Sequence, residues 1–229
     1  MVYLYHCIKR RAAIAAFVEP LILYWVLFLP SWGFPVPDAD VFAFSAYREL
    51  GRLFAYTLPA LALIWHLILR DRRPFSPLSG PWPRRGDLVT ALFTLPALAA
   101  LGALVPLLGT LFPDPARAPE IGFPRGPAAF AVMALSSLSS AYLEETYFRF
   151  YLFKRLAEAG AGPAKAALVS SLLFALCHLY EGPLGALNAF AAGLLLFYIF
   201  ARRRSLHGIA WAHGGYNIFV YVIAAMAGA

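Results

Sequence analysis

The sequence predicts an all-α protein, a polytopic bundle of about seven transmembrane helices with its N-terminus in the cytoplasm and its C-terminus outside. Three observations carry that prediction. Of the 229 residues, 61% are hydrophobic, and the mean hydropathy is +0.68, both well beyond soluble domains. Seven apolar stretches are each of a length to cross about 30 Å of hydrocarbon, which takes roughly 20 helical residues. Finally, lysine and arginine gather at alternate ends of those stretches, as the positive-inside rule requires.

The spans, in order, are 12–30, 49–69, 88–112, 128–153, 164–181, 184–201 and 206–226. The first follows Lys9-Arg10-Arg11 and resembles a signal segment, but Glu19-Pro20 interrupts it and no small-residue cleavage site closes it. It reads as a retained span. Breaks fall at Pro35-Val36-Pro37-Asp38, Arg72-Arg73-Pro74, Pro113-Asp114-Pro115 and Gly160-Ala161-Gly162-Pro163. Nothing alternates like an outer-membrane barrel strand, and in lipid only helices satisfy their own backbone over such lengths. The sixth span spaces Gly185, Ala189 and Gly193 four apart, which lets helices approach closely; Asn188 beside them reads as interhelical glue. The chain divides into an N-terminal three-helix region, 1–127, and a four-helix region, 128–229, that holds the motifs described below.

One set of helix ends carries Lys9, Arg10, Arg11, Arg70, Arg72, Arg73, Arg84, Arg85, Lys154, Arg155, Lys165 and Arg202 to Arg204. The other carries Asp38, Asp40, Asp114, Glu120 and Glu181, with Arg48, Arg117 and Arg125. The net charge of +7 is therefore a topology signal. No basic-aromatic interleaving or recognition motif points to nucleic acid. The two cysteines, Cys7 and Cys177, imply neither a disulfide framework nor a zinc cluster.

Against this apolar background, Tyr142-Leu143-Glu144-Glu145-Thr146-Tyr147-Phe148-Arg149 places two adjacent carboxylates inside the fourth span. Ionisable groups at membrane depth cost a few kcal/mol or more and mark functional sites. Glu145 and Arg149 are four apart and share a helical face, so they can pair. Glu144 is turned about 100° away and left for other work. Two more spans carry polar pairs at four-residue spacing, Phe174 with His178 and His213 with Asn217. Counted from the basic ends at about 1.5 Å per residue, Glu144, His178, His213 and Asn217 lie roughly 14 to 20 Å deep. A carboxylate, two imidazoles and an amide from three helices thus arrive near mid-bilayer. Ser136 and Ser140 share the face of Glu144. Glu19 reads as a buried acid that pairs with Arg48 or Arg52 or shapes substrate access, while His66 and His207 read as ordinary interfacial residues.

Glu-Glu-x-x-x-Arg, Phe-x-x-x-His and His-x-x-x-Asn, in that order on successive hydrophobic segments, resemble the CAAX protease and bacteriocin-processing (CPBP, or Abi) family of intramembrane glutamic proteases. The likeness covers roughly residues 128–226. It implies that Glu144 and His178 activate a water, that His213 and Asn217 stabilise the oxyanion, and that Glu145, Arg149 and Phe174 support them. It further implies no metal or cofactor. The substrate would be a membrane-anchored protein or peptide, since family relatives cleave prenylated tails, process bacteriocin leaders or trim C-terminal sorting anchors. A bacterial inner membrane suits that class, and the oligomeric state is left open.

The chemistry agrees with this. Peptide hydrolysis needs a base for water and donors for the tetrahedral oxygen. A zinc protease of the His-Glu-x-x-His type is excluded by the missing motif, although two His and a Glu remain a conceivable ligand set. A serine enzyme lacks its glycine-flanked serine, and an aspartyl enzyme lacks two mid-span aspartates. A proton-coupled transporter would show paired repeats with broken helices. A non-proteolytic immunity or scaffold protein remains the alternative reading.

Overall fold

The computed structural model describes residues 2–28, 44–70, 84–111 and 124–227. Among these, every regular element is helical, and seven rods follow one another: α1 (Val2–Leu27), α2 (Ala46–Arg70), α3 (Arg85–Leu111), α4 (127–158), α5 (Pro163–Leu176), α6 (Gly182–Arg203) and α7 (Leu206–Ala227). This is the all-α bundle that the apolar stretches predict. Three stretches, Ala46–Arg70, Arg85–Thr110 and Leu179–Arg203, are long and apolar enough to cross a membrane, with mean hydropathies of 1.5, 2.2 and 2.0. Their large apolar side chains point outward: Phe54, Phe93 and Tyr198 are 65%, 78% and 58% exposed. Lipid, rather than a second protein layer, is the natural covering for such faces.

Two rods contain a π turn. In α2 it spans Leu53–Thr57, and the Leu58 amide bonds back five residues to Leu53. Pro59 follows immediately, and in a regular helix its ring would collide with the carbonyl of residue 55. The wider turn relieves that collision. In α4 the π turn spans Thr146–Tyr151, between Pro127–Glu145 and Leu152–Glu158, with the Leu152 amide bonded to Tyr147. All six of its residues are buried. Single π turns inside α-helices are frequent at functional sites. The rod ends with Gly160 at φ +91°, where the amides of Ala161 and Gly160 return to Leu156 and Ala157. That pair of bonds is a Schellman cap, whose left-handed position glycine fills without a Cβ penalty.

Contacts between rods place the basic helix ends together. Glu19 of α1 pairs with Arg155 of α4. Trp65, near the end of α2, packs its ring 6.0 Å from Phe150. At the start of α3, Asp87 accepts from Ser205, which leads into α7. Hence Arg70, Arg84, Arg85, Lys154, Arg155, Lys165 and Arg202 to Arg204 all belong to one end of the bundle. Arg125 and Glu181 belong to the other. Residues Asp38, Asp40, Arg72, Arg73, Asp114, Arg117 and Glu120, and the breaks at 35–38, 72–74 and 113–115, lie outside the described residues.

Two expectations need correction. The fifth span does not run to residue 181. Helix α5 stops at Leu176, and Leu179–Glu181 form a separate 3-10 turn, because Gly182 at φ +84° and Pro183 turn the chain directly into α6. Fourteen residues make α5 only about 21 Å long. Glu19 is also not a buried acid paired with Arg48 or Arg52. Its side chain is 40% exposed and pairs with Arg155 and Tyr151, whose hydroxyl donates over 2.5 Å. Local spacing within the first half of the chain does not reveal a partner 136 residues away.

The core surrounds the second π turn. Tyr24, Phe28, Tyr147, Phe148, Phe150, Phe174, Phe197 and Phe200 are all nearly inaccessible. Tyrosine hydroxyls fasten the rods through backbone carbonyls: Tyr24 to Leu173, Tyr147 to Pro20 and Tyr56 to Leu27. Helix α3 comes so close to α7 that a Cβ on Gly102 would sit 2.1 Å from the Tyr216 hydroxyl.

Candidate active site

At the junction of Pro127–Glu145 with the π turn, Glu145 is wholly buried, while the Glu144 side chain keeps 22% of its surface exposed. Helix α7 brings His213 against both. Its Nδ1 stands 2.8 Å from Glu145 Oε1 and its Nε2 3.7 Å from Glu144 Oε2. A carboxylate accepts, so the shorter contact makes Nδ1 the donor. That fixes the ring with Nε2 facing Glu144. The longer contact exceeds a hydrogen bond.

Arg149 completes the buried half. Its Nε lies 3.2 Å from Glu145 Oε2, and both side chains are fully inaccessible. The guanidinium lies over the Phe174 ring, 4.3 Å from its centroid. Its hydrogen-bonding capacity is not filled by the described residues, so the cation–π contact and the carboxylate compensate its burial. Two carboxylates and one guanidinium sum to a single negative charge.

His178 reaches the same place from the turn that follows α5. Its Nδ1 donates to the Phe174 carbonyl over 2.7 Å. That carbonyl is among the last four of α5, which have no partner within the helix, so the imidazole caps its own helix. The bond leaves Nε2 as the free ring nitrogen. Phe174 is the shared neighbour, with its centroid 4.5 Å from His178 and 5.9 Å from His213. Arg149, Phe174 and both imidazoles thus form one packed unit. Glu144 and His178 share no hydrogen bond. Asn217 is half-buried one turn beyond His213 and bonds to none of the other site residues.

Several polar partners are not legible in sequence. The Tyr142 hydroxyl lies 2.9 Å from His207 Nδ1, so His207 has a specific partner on α4. Ser136, on the face of Glu144, donates to Glu49 over 2.5 Å and accepts from Arg52 over 3.0 Å. Its spacing from Glu144 singles out Ser136, but not the partners on α2. On α6 the Asn188 Oδ1 is buried without a hydrogen-bond partner among the described residues. Among the described residues no group of three or more His, Cys, Asp or Glu is arranged to hold a metal ion.

The fold and the polar cluster define an integral membrane protein of helical type, with ionisable groups gathered where three helices meet inside the bundle. Residues 126–219 match the family described as type II CAAX prenyl endopeptidase Rce1-like. Over that stretch the chain is similar to the CPBP family of membrane endopeptidases, the likeness its three motifs imply. No curated protein and no solved structure matches the chain significantly.

Proposed function

We propose that this protein is an intramembrane endopeptidase of the glutamic type. Glu144 accepts a proton from a water that His178 helps to orient. The resulting hydroxide attacks a peptide carbonyl, and the proton passes on to the leaving amine. As an imidazolium that donates Nδ1–H to Glu145, His213 also offers Nε2–H, and with the Asn217 amide it stabilises the tetrahedral oxyanion. Glu145 holds His213 through Nδ1, Arg149 neutralises Glu145, and Phe174 carries both imidazoles. No step needs a metal or cofactor. The substrate is a membrane-anchored protein or its tail, and the enzyme resides in a bacterial inner membrane.

The observation that carries this reading is the placing of His213 between the two adjacent carboxylates, with His178 on the same aromatic ring. An immunity or scaffold role does not need that arrangement. The test compares the protein termini of membranes from cells carrying the wild type or Glu144→Gln. Termini that vanish with the variant, at unchanged protein level, are expected. Identical sets of termini would overturn the protease reading.

A further inference from the structure

The two sides of the candidate site differ. Toward the basic end, residues 145–152 are buried without a gap. Their side chains join Tyr24, Phe28 and Phe174 in a continuous aromatic layer. Toward the other end, Ser139, Ser140, Tyr216 and Asn217 are only partly buried. Beyond them Ser136 is tied to Glu49 and to Arg52, whose side chain is 49% exposed. Glu144 marks the boundary.

The short α5 adds an independent argument. Leu176 lies eleven residues from Lys165, about 16 Å at the helical rise, which is near the middle of a 30 Å hydrocarbon slab. From Cys177 the chain therefore leaves regular helix at membrane depth and climbs to Glu181 at the far end. Non-helical backbone is tolerated there only inside protein or beside water. The amides of Cys177, His178 and Glu181 stay bonded to Leu173, Ala175 and His178, while Leu179 and Tyr180 are 47% and 43% exposed, so protein does not fully enclose this segment. An open face there suits water, and the aromatic layer lies between it and the basic end. The basic end is the cytoplasmic one by the positive-inside rule.

We propose that the site is hydrated and loaded from the non-cytoplasmic side. Its substrates are then membrane-anchored proteins that present the scissile bond at the outer leaflet. The substrate part of this inference rests on the protease reading above, whereas the sidedness of water does not.

The test uses the full chain with Cys7→Ser and Cys177→Ala, into which Ser140→Cys, Leu179→Cys or Ala157→Cys is introduced singly. A membrane-impermeant sulfonated maleimide is applied to right-side-out and to inverted membrane vesicles. Ser140→Cys and Leu179→Cys are expected to label in right-side-out vesicles and to lose labelling in inverted ones. Ala157→Cys, in an exposed position near the basic end, is expected to do the opposite. Labelling of Ser140→Cys from the inverted side, or from neither side while Ala157→Cys reacts, would overturn the proposal. Adding Glu144→Gln leaves the labelling pattern unchanged, which separates sidedness from catalysis. The termini lost in Glu144→Gln cells are expected in non-cytoplasmic tails. Lost termini in cytoplasmic tails would overturn the substrate inference while supporting proteolysis, and no lost termini would overturn proteolysis while leaving the labelling result standing.

Discussion

Helix α4 meets two different environments along one rod. Its second half, 145–152, is packed on every side, and its one ion pair is dry. Its first half carries Ser139 and Ser140 on partly open faces, and the buried Ser136 bonds to Glu49 and Arg52 near the surface. Glu144 and Glu145 are neighbours in sequence but stand on opposite sides of that boundary. One carboxylate is buried between Arg149 and His213, the other 22% exposed. A helix can thus turn two identical side chains into different environments.

The buried half breaks most severely. Arg149→Ala leaves the buried Glu145 with His213 as its remaining polar partner, a loss of about 3–5 kcal/mol. Thermal unfolding of the purified protein in detergent should show it as the largest drop of the series. Phe174→Ala removes the ring shared by Arg149, His178 and His213. A cost of about 3–5 kcal/mol is typical of such truncations, at the top of which cleavage is expected to vanish because both imidazoles lose their support. Gly102→Ala drives a Cβ into the Tyr216 hydroxyl. Tyr216 has to move away from α3, at about 1–3 kcal/mol for overpacking, and the same unfolding assay checks it.

The open half is expected to give way gently. Ser136→Ala deletes a bond to the Glu49 carboxylate, worth about 1.5–3 kcal/mol when a charged group is involved and less where water replaces it. Arg52→Ala touches a half-exposed ion pair and costs about 0–1 kcal/mol, reduced further by salt. If Arg52→Ala destabilised the protein as much as Arg149→Ala, the contrast between the two halves would fail.

Much of this architecture is legible in the amino-acid order. Proline, glycine and arginine punctuate the apolar runs, and the rods α2, α3, α4, α6 and α7 begin and end within a few residues of those marks. The four-residue spacings place Glu145 with Arg149 and Phe174 with His178, and both pairs meet in the structure. What the sequence conceals has a physical cause in each case. A π turn has no sequence signature comparable to proline or glycine, so the wide turn at Thr146–Tyr151 cannot be read from helical periodicity. The end of α5 is hidden because Cys177, Leu179 and Tyr180 keep the run apolar after the helix has stopped. Pairings across the bundle, His213 with Glu145, Glu19 with Arg155 and Ser136 with Glu49, depend on how rods pack. Spacing along one helix carries no information about them.

The most direct measurement is the cleavage of one affected membrane protein by purified wild type and Glu144→Gln, with the unfolding temperature of each recorded alongside. The account predicts that the variant folds as the wild type does and leaves the substrate whole. Unaltered cleavage by a well-folded Glu144→Gln enzyme would contradict it.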